Sequence, residues 1–206
     1  IPFPRITYEE AMDKYGSDKP DVRFGFKLID ITETATKTSF KVFTYTIKNG
    51  GKVKCINARG CGKFSRSDIE ELEKVAKIYD AKGLAWTKVE AKLEGMSAKF
   101  FDDNIQKELM EKTNANQGDL LLMIADTNHK IVDTVLGQLR LHLAKKLEMI
   151  PKDEWNFIWV VDFPMFEFNE VEQRWDAMHN PFCMPHYDDL DGMDDNLGTV
   201  RAQQYD

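Results

Sequence analysis

The apolar and polar positions along the chain predict alternating short helices and strands. Thr7-Tyr8-Glu9-Glu10 has the form of a capping box, with the Thr7 hydroxyl placed to accept the N–H of Glu10. A short helix is therefore expected through Tyr15, ended by Gly16 in the left-handed conformation. Asp30 to Ser39 is rich in Thr and charge and reads as a linker or an entry crossing. Phe40 to Ile47 alternates apolar with polar residues and is rich in β-formers. With Asn49-Gly50-Gly51 as the turn and Lys52 to Ala58 as the returning strand, it predicts a hairpin. A glycine-containing loop, Arg59 to Phe64, follows. Ser67-Asp68-Ile69-Glu70 is a second capping box, opening a helix expected to reach Asp80, with Ile69, Leu72, Val75, Ala76 and Tyr79 on one face and Gly83 closing it.

Leu84 to Val89 reads as a strand, and Asp103 as the cap of a helix from Asn104 to Lys112. Asp119 to Ala125 is almost wholly apolar and is expected to be a central strand. Asn128 caps a long helix whose positions Val132, Val135, Leu136, Leu139, Leu143 and Leu147 fit the 3.6-residue period. That helix is expected to stop near Ile150-Pro151. The character then changes. Phe157 to Val161, Met165 to Phe168 and Arg174 to Met178 predict short aromatic-rich strands, followed by an acidic loop from Tyr187 to Asn196. The middle, residues 24–126, reads as one α+β unit and the two ends as pieces of another. A domain inserted into a host has this pattern, because domain termini usually lie close together.

With 42% hydrophobic and 31% charged residues, the 206-residue chain is expected to form a packed soluble core. No apolar run approaches the ~20 residues of a membrane span. The chain opens Ile1-Pro2-Phe3-Pro4 and ends Gln203-Gln204-Tyr205-Asp206, which is expected of a segment of something longer. Three cysteines, Cys55, Cys61 and Cys183, fit a reducing, cytoplasmic setting better than a disulfide scaffold, and no C-x-x-C points to zinc. The net charge of −7 conceals a segment, Lys41 to Ser67, that carries seven basic residues and no acid. That segment reads either as a solvated face or as a basic hairpin able to meet phosphates.

Local motifs give no chemistry. Arg59-Gly60-Cys61-Gly62-Lys63 fails as a phosphate loop, since Asn57 and Phe64 stand where Gly and Ser/Thr are required. Asp188 to Gly192 fails as a calcium loop, because Tyr187 and Gly198 replace its terminal carboxylates. His129 and His142, thirteen apart on the long helix, are not a metal pair, and His186 stands alone in a loop.

Several longer segments carry more. Phe3 to Met12 with Tyr15 to Arg23, then Lys77-Ile78-Tyr79-Asp80-Ala81-Lys82-Gly83-Leu84-Ala85, Leu139-Arg140-Leu141, Trp159-Val160-Val161-Asp162-Phe163-Pro164-Met165-Phe166-Glu167 and Asp176-Ala177-Met178-His179-Asn180-Pro181-Phe182 resemble, in this order, bacterial-type aspartyl-tRNA synthetases. The resemblance covers essentially the whole chain. It implies a GAD-like insertion domain at 24–126, an antiparallel sheet with helices on one face. Flanking it would be partial strands of a class II antiparallel catalytic sheet, at 1–23 after motif 2 and, following a return helix, at 127–206 before motif 3. The parent would use ATP and Mg2+ to activate aspartate and charge tRNA(Asp), as a cytoplasmic homodimer. The segment alone, possessing neither motif 2 nor motif 3, is expected to be an inactive monomer with no catalytic residue, metal or cofactor of its own. His179 matches the first histidine of the family's A-M-H-H-P-F pattern and would hold the aspartate carboxylate. The second position is Asn180, an amide that cannot carry charge. This departure bears on discrimination between aspartate and asparagine, or between their tRNAs. Two other readings remain: a freestanding RNA- or protein-binding module, and an amidotransferase subunit that shares the insert. The flanking segments argue against the second.

Overall fold

The computed structural model describes residues 2–204. Ile1, Tyr205 and Asp206, at the two ends remarked on above, lie outside the described residues. In chain order the elements are β1 (Arg5–Thr7), α1 (Tyr8–Tyr15), β2 (Leu28–Asp30), α2 (Thr32–Thr36), α3 (Lys41–Lys48), β3 (Lys52–Ala58), α4 (Arg66–Ile78), β4 (Ala85–Val89), β5 (Leu93–Glu94), α5 (Asp103–Thr113), β6 (Leu120–Asp126) and α6 (His129–Lys146). Five short strands follow: β7 (Trp159–Val161), β8 (Phe163–Pro164), β9 (Phe166–Asn169), β10 (Arg174–Ala177) and β11 (Arg201–Ala202). The chain forms two compact units, Asp13–Glu154 and a second composed of Ile1–Met12 with Trp155–Asp206. The larger unit is wider on both sides than the 24–126 span expected from the sequence.

Its sheet has the order β2-β3-β6-β4-β5, every neighbouring pair antiparallel. The centre is β3 against β6, in register from Lys52↔Asp126 to Ala58↔Leu120. Both strands are apolar on both faces, so both faces must be covered. Ile56, Ala58, Leu120, Leu122 and Ile124 pack under α4 and α6, through Ile69, Leu72, Val135, Leu136 and Leu139. Val53, Cys55, Leu121 and Met123 pack under α2, α3 and α5, through Ala35, Phe43, Ile105 and Leu109. Helices thus lie on both faces of the sheet, and the expectation of one covered face is corrected. Each fully buried Leu or Ile here contributes ~1.5–3 kcal/mol.

Three local expectations change. Phe40 to Ile47 is not a strand: α3 buries Phe43 and Thr46, and Asn49-Gly50-Gly51 caps it. Gly50, at φ +79, donates its N–H to the Ile47 carbonyl at 3.0 Å, and Gly51 donates to Thr46 at 2.9 Å, the pattern of a Schellman-type helix end. The basic hairpin therefore does not exist. Its charges are spread over α3, β3, a turn and α4, and Lys54 is buried. The stretch from Asp30 to Ser39 instead begins at the last residue of β2 and contains α2. The second capping box sits two residues earlier, with Ser65 accepting from Asp68 and the Asp68 carboxylate accepting from the Ser65 N–H.

The incoming segment is fixed to α6 by charge and close approach. Lys54, 2% exposed, pairs with Asp13 at 2.7 Å and Asp133 at 2.6 Å. Those two carboxylates hold its ammonium above the usual lysine range against the opposing effect of burial. Arg140, 1% exposed, donates to the carbonyls of Asp21 (2.6 Å), Phe24 (3.0 Å) and Gly25 (3.1 Å). Its guanidinium lies over the rings of Phe24 and Tyr15, and burial lowers it to about 10. Gly16, at φ +67 as expected, lies against α6, where a Cβ would come 2.1 Å from the Asp133 carbonyl oxygen. Arg23, itself held by Asp21, donates to the carbonyls of Pro151 (3.2 Å) and Glu154 (3.1 Å), so the unit's two ends are tied together.

In the smaller unit β1 pairs in parallel with β7, while β8 with β11 and β9 with β10 pair antiparallel. Its core is small: Ala11, Val160, Phe163 and Ala202, with Ile6, Tyr8, Ile158, Met165 and Cys183 packed around them.

Candidate functional site

The site grows from β8. Pro164 gives this strand no N–H on that residue, and its carbonyl is free for a side chain. Met165 donates its N–H to the Val200 carbonyl (2.8 Å) and Met178 donates to Met165 (3.0 Å). These bonds bring residue 179 over the strand. His179 Nε2 lies 3.0 Å from the Pro164 carbonyl oxygen, and its ring meets Phe163 edge-on at 5.8 Å and 84°. A carbonyl can only accept, so Nε2 carries the proton. Nδ1 is then a bare acceptor in neutral imidazole and a second donor in imidazolium. Only the charged form can donate from Nδ1 to an anionic group.

Asn180 does something different. It is exposed, its side-chain oxygen accepts the Phe182 N–H at 3.0 Å, and its carbonyl accepts from Cys183 at 3.0 Å. This is an Asx turn, a local role for which the Asn side chain is well suited.

Arg201, on β11 opposite Pro164, is a residue that sequence reasoning missed. It grips Asp189 with Nε at 2.9 Å and Nη2 at 2.7 Å, while its backbone N–H reaches the same carboxylate at 2.9 Å. These bonds lower Asp189 to about 2. Arg201 Nη1 also lies 3.8 Å from Asp162, which sits at φ +59. The acidic loop, read as solvated, thus sends one carboxylate back to the strand. The only local signal was a single arginine following a run of acids.

The other candidates keep apart. His129 Nε2 lies 3.1 Å from the Gly50 carbonyl, His142 pairs with Glu71 at 2.9 Å, and His186 Nδ1 accepts from the Asp188 N–H. Cys55 and Cys61 are buried thiols, and burial pushes Cys61 up to about 11, so it is not a ready nucleophile. The Arg59–Lys63 loop is a turn between β3 and α4, as read from the sequence. Among the described residues no three His, Cys, Asp or Glu side chains are grouped to hold a metal ion. No described helix is long and apolar enough to cross a membrane.

Comparison with known proteins adds two findings. Residues 43–136, from within α3 to within α6, match the GAD domain family. The whole chain is 44% identical to the aspartate–tRNA ligase of Ruminiclostridium cellulolyticum and 49% identical to that of Geobacillus kaustophilus. It is 48% identical to the aspartate–tRNA(Asp/Asn) ligase of Anoxybacillus flavithermus. In each case all of this chain is covered and 35% of the relative, so the chain spans about a third of the length of the curated relatives it matches.

Proposed function

We propose that the chain is a segment, carrying a GAD domain, of a bacterial-type aspartate–tRNA ligase, and that the whole protein activates aspartate with ATP and transfers it to tRNA. The observation that carries this reading is identity of 44–49% averaged over alignments that cover the whole chain, and so both compact units. In this reading the smaller unit is part of a class II catalytic domain, with segments 1–23 and 127–206 flanking an inserted domain. The tie from Arg23 to Pro151 and Glu154 supports an insertion, since a guest domain must return the chain near where it left. The aspartate carboxylate attacks the α-phosphate of ATP and pyrophosphate leaves. The terminal adenosine hydroxyl of tRNA then takes the aspartyl group and AMP leaves.

His179 is the residue of this chain assigned to substrate. The Pro164 carbonyl orients its ring, and the imidazolium presents Nδ1–H to the side-chain carboxylate of aspartate, a charge-assisted bond. ATP, Mg2+ and homodimer formation belong to the parent.

A second reading, charging of both tRNA(Asp) and tRNA(Asn), is favoured by the name of the Anoxybacillus relative. Asn180, turned into its own Asx turn, adds no charge to the pocket. The test is amino-acid-dependent ATP–pyrophosphate exchange by the full-length parent and by this chain, followed by charging of purified tRNA(Asp) and tRNA(Asn). Exchange with aspartate by the parent alone is expected; a parent inert with aspartate ends the proposal. Replacing His179 by Ala in the parent removes a charged hydrogen bond of ~1.5–3 kcal/mol, so KM for aspartate should rise roughly 10- to 150-fold. Unchanged kinetics would remove His179 from the site.

A further inference from the structure

The larger unit contains a concavity that the charging reaction does not use. It lies between α3 and the β4–β6 part of the sheet, with a volume of about 860 Å³, within the range of small-molecule pockets. Its lining includes the small apolar residues Ala85 and Ala125 on the sheet side. Helix α3 has two stripes. One, led by Phe43, enters the core; the other, Val42, Tyr45 and Asn49 at helical spacing, faces the concavity. Tyr45 is 71% exposed and Val42 53%, an arrangement that leaves apolar surface in water unless something covers it. Met96 supplies an adaptable wall.

The charge around this apolar space has one sign. Lys41 and Lys82 line it and no lining residue is acidic. Lys82 is matched by Asp126 at 2.9 Å, a buried carboxylate lying behind the lining. Lys41, exposed, has no ion pair among the described residues. An occupant therefore gains by placing one negative group at the Lys41 end and a flat apolar body against Val42 and Tyr45. We propose that this concavity is a binding site for a small amphipathic monoanion, with an aromatic body carrying one carboxylate, sulfonate or phosphate. The site is separate from the aspartate chemistry and belongs to the inserted domain.

Gly83 gives a clean test. It lines the concavity, its backbone is not in the left-handed region, and a Cβ there would meet nothing within 4 Å. A larger side chain at this position starts from an unobstructed Cβ and is directed at occupying the concavity. The experiment titrates the 206-residue chain with 8-anilinonaphthalene-1-sulfonate and with its uncharged relative N-phenyl-1-naphthylamine. One saturable sulfonate per chain is expected, bound at least tenfold more tightly than the neutral dye. Gly83→Trp should weaken it tenfold or more with an unchanged circular-dichroism spectrum, and Lys41→Glu about tenfold. Tyr45→Ala, at an exposed position, reads the same wall should Gly83→Trp perturb the fold. Wild-type binding by both Gly83→Trp and Tyr45→Ala would place the dye elsewhere and overturn the site. Equal binding of the two dyes, or indifference to Lys41→Glu, would overturn the anion.

Discussion

The two units solve the same problem with unequal means. Asp13–Glu154 covers both faces of a five-stranded sheet and buries Leu120, Leu121, Leu122 and Met123 completely. The smaller unit has two-stranded ladders and leaves Phe182 95%, Val171 93% and Trp155 81% exposed. Isolated two-stranded ladders are marginal in water. The first unit thus has a large core, whereas the second adds side-chain clasps such as Arg201 on Asp189 to a small one.

The sharpest way to break this contrast is a truncation in each unit. Leu122→Ala, at 0% exposure, should cost about 2–5 kcal/mol in urea unfolding, while Phe182→Ala should stay within about 0.5 kcal/mol. Equal effects would erase the distinction. Next comes Gly137→Ala. Alanine is the better helix former by ~1 kcal/mol, but its Cβ would lie 2.6 Å from the Gly16 carbonyl oxygen and 2.9 Å from that of Tyr15. Backbone cannot yield as a side chain does, so the clash wins and a net loss of about 1–3 kcal/mol is expected in thermal unfolding. Ser65→Ala removes the cap of α4 and should cost about 1 kcal/mol, whereas Ser67→Ala should be nearly silent.

The smallest effect concerns pH. Asp189 is lowered to about 2 in the folded chain by Arg201, from an ordinary carboxylate value near ~4. Its contribution is therefore complete above that ordinary value and is lost as pH falls through about 2. The Asp189 carboxyl resonance, followed by NMR, should titrate near 2 and move upward in Arg201→Gln. An unmoved midpoint would show that Arg201 is not what lowers Asp189.

What could be read from the sequence was whatever repeats locally. Helix α6 declared itself by Val132, Val135, Leu136, Leu139 and Leu143, and β6 by an unbroken apolar run. Helix α3 did not, because Phe40-Lys41-Val42-Phe43-Thr44-Tyr45-Thr46-Ile47 satisfies a period of two about as well as 3.6. Tertiary burial of Phe43 decided the matter. The α4 cap was misplaced because Ser65 and Ser67 are each followed three residues later by an acid. The contacts that organise the molecule, Lys54 to Asp133 or Arg140 to Asp21, join residues far apart and leave no local pattern. His179 was legible only through family resemblance, and its anchor on Pro164 was not legible at all.

One clasp has a consequence for how such a chain assembles. The smaller unit must close over everything between Met12 and Trp155. As a slack loop, that span would carry a closure entropy rising with the logarithm of its length. Once the intervening unit has folded and Arg23 holds Pro151 and Glu154, the ends are already neighbours. The effective loop is then some ten residues, and the entropy saved is on the order of 2 kcal/mol. The expected folding order is the larger unit first and the smaller unit afterwards, at little entropic cost.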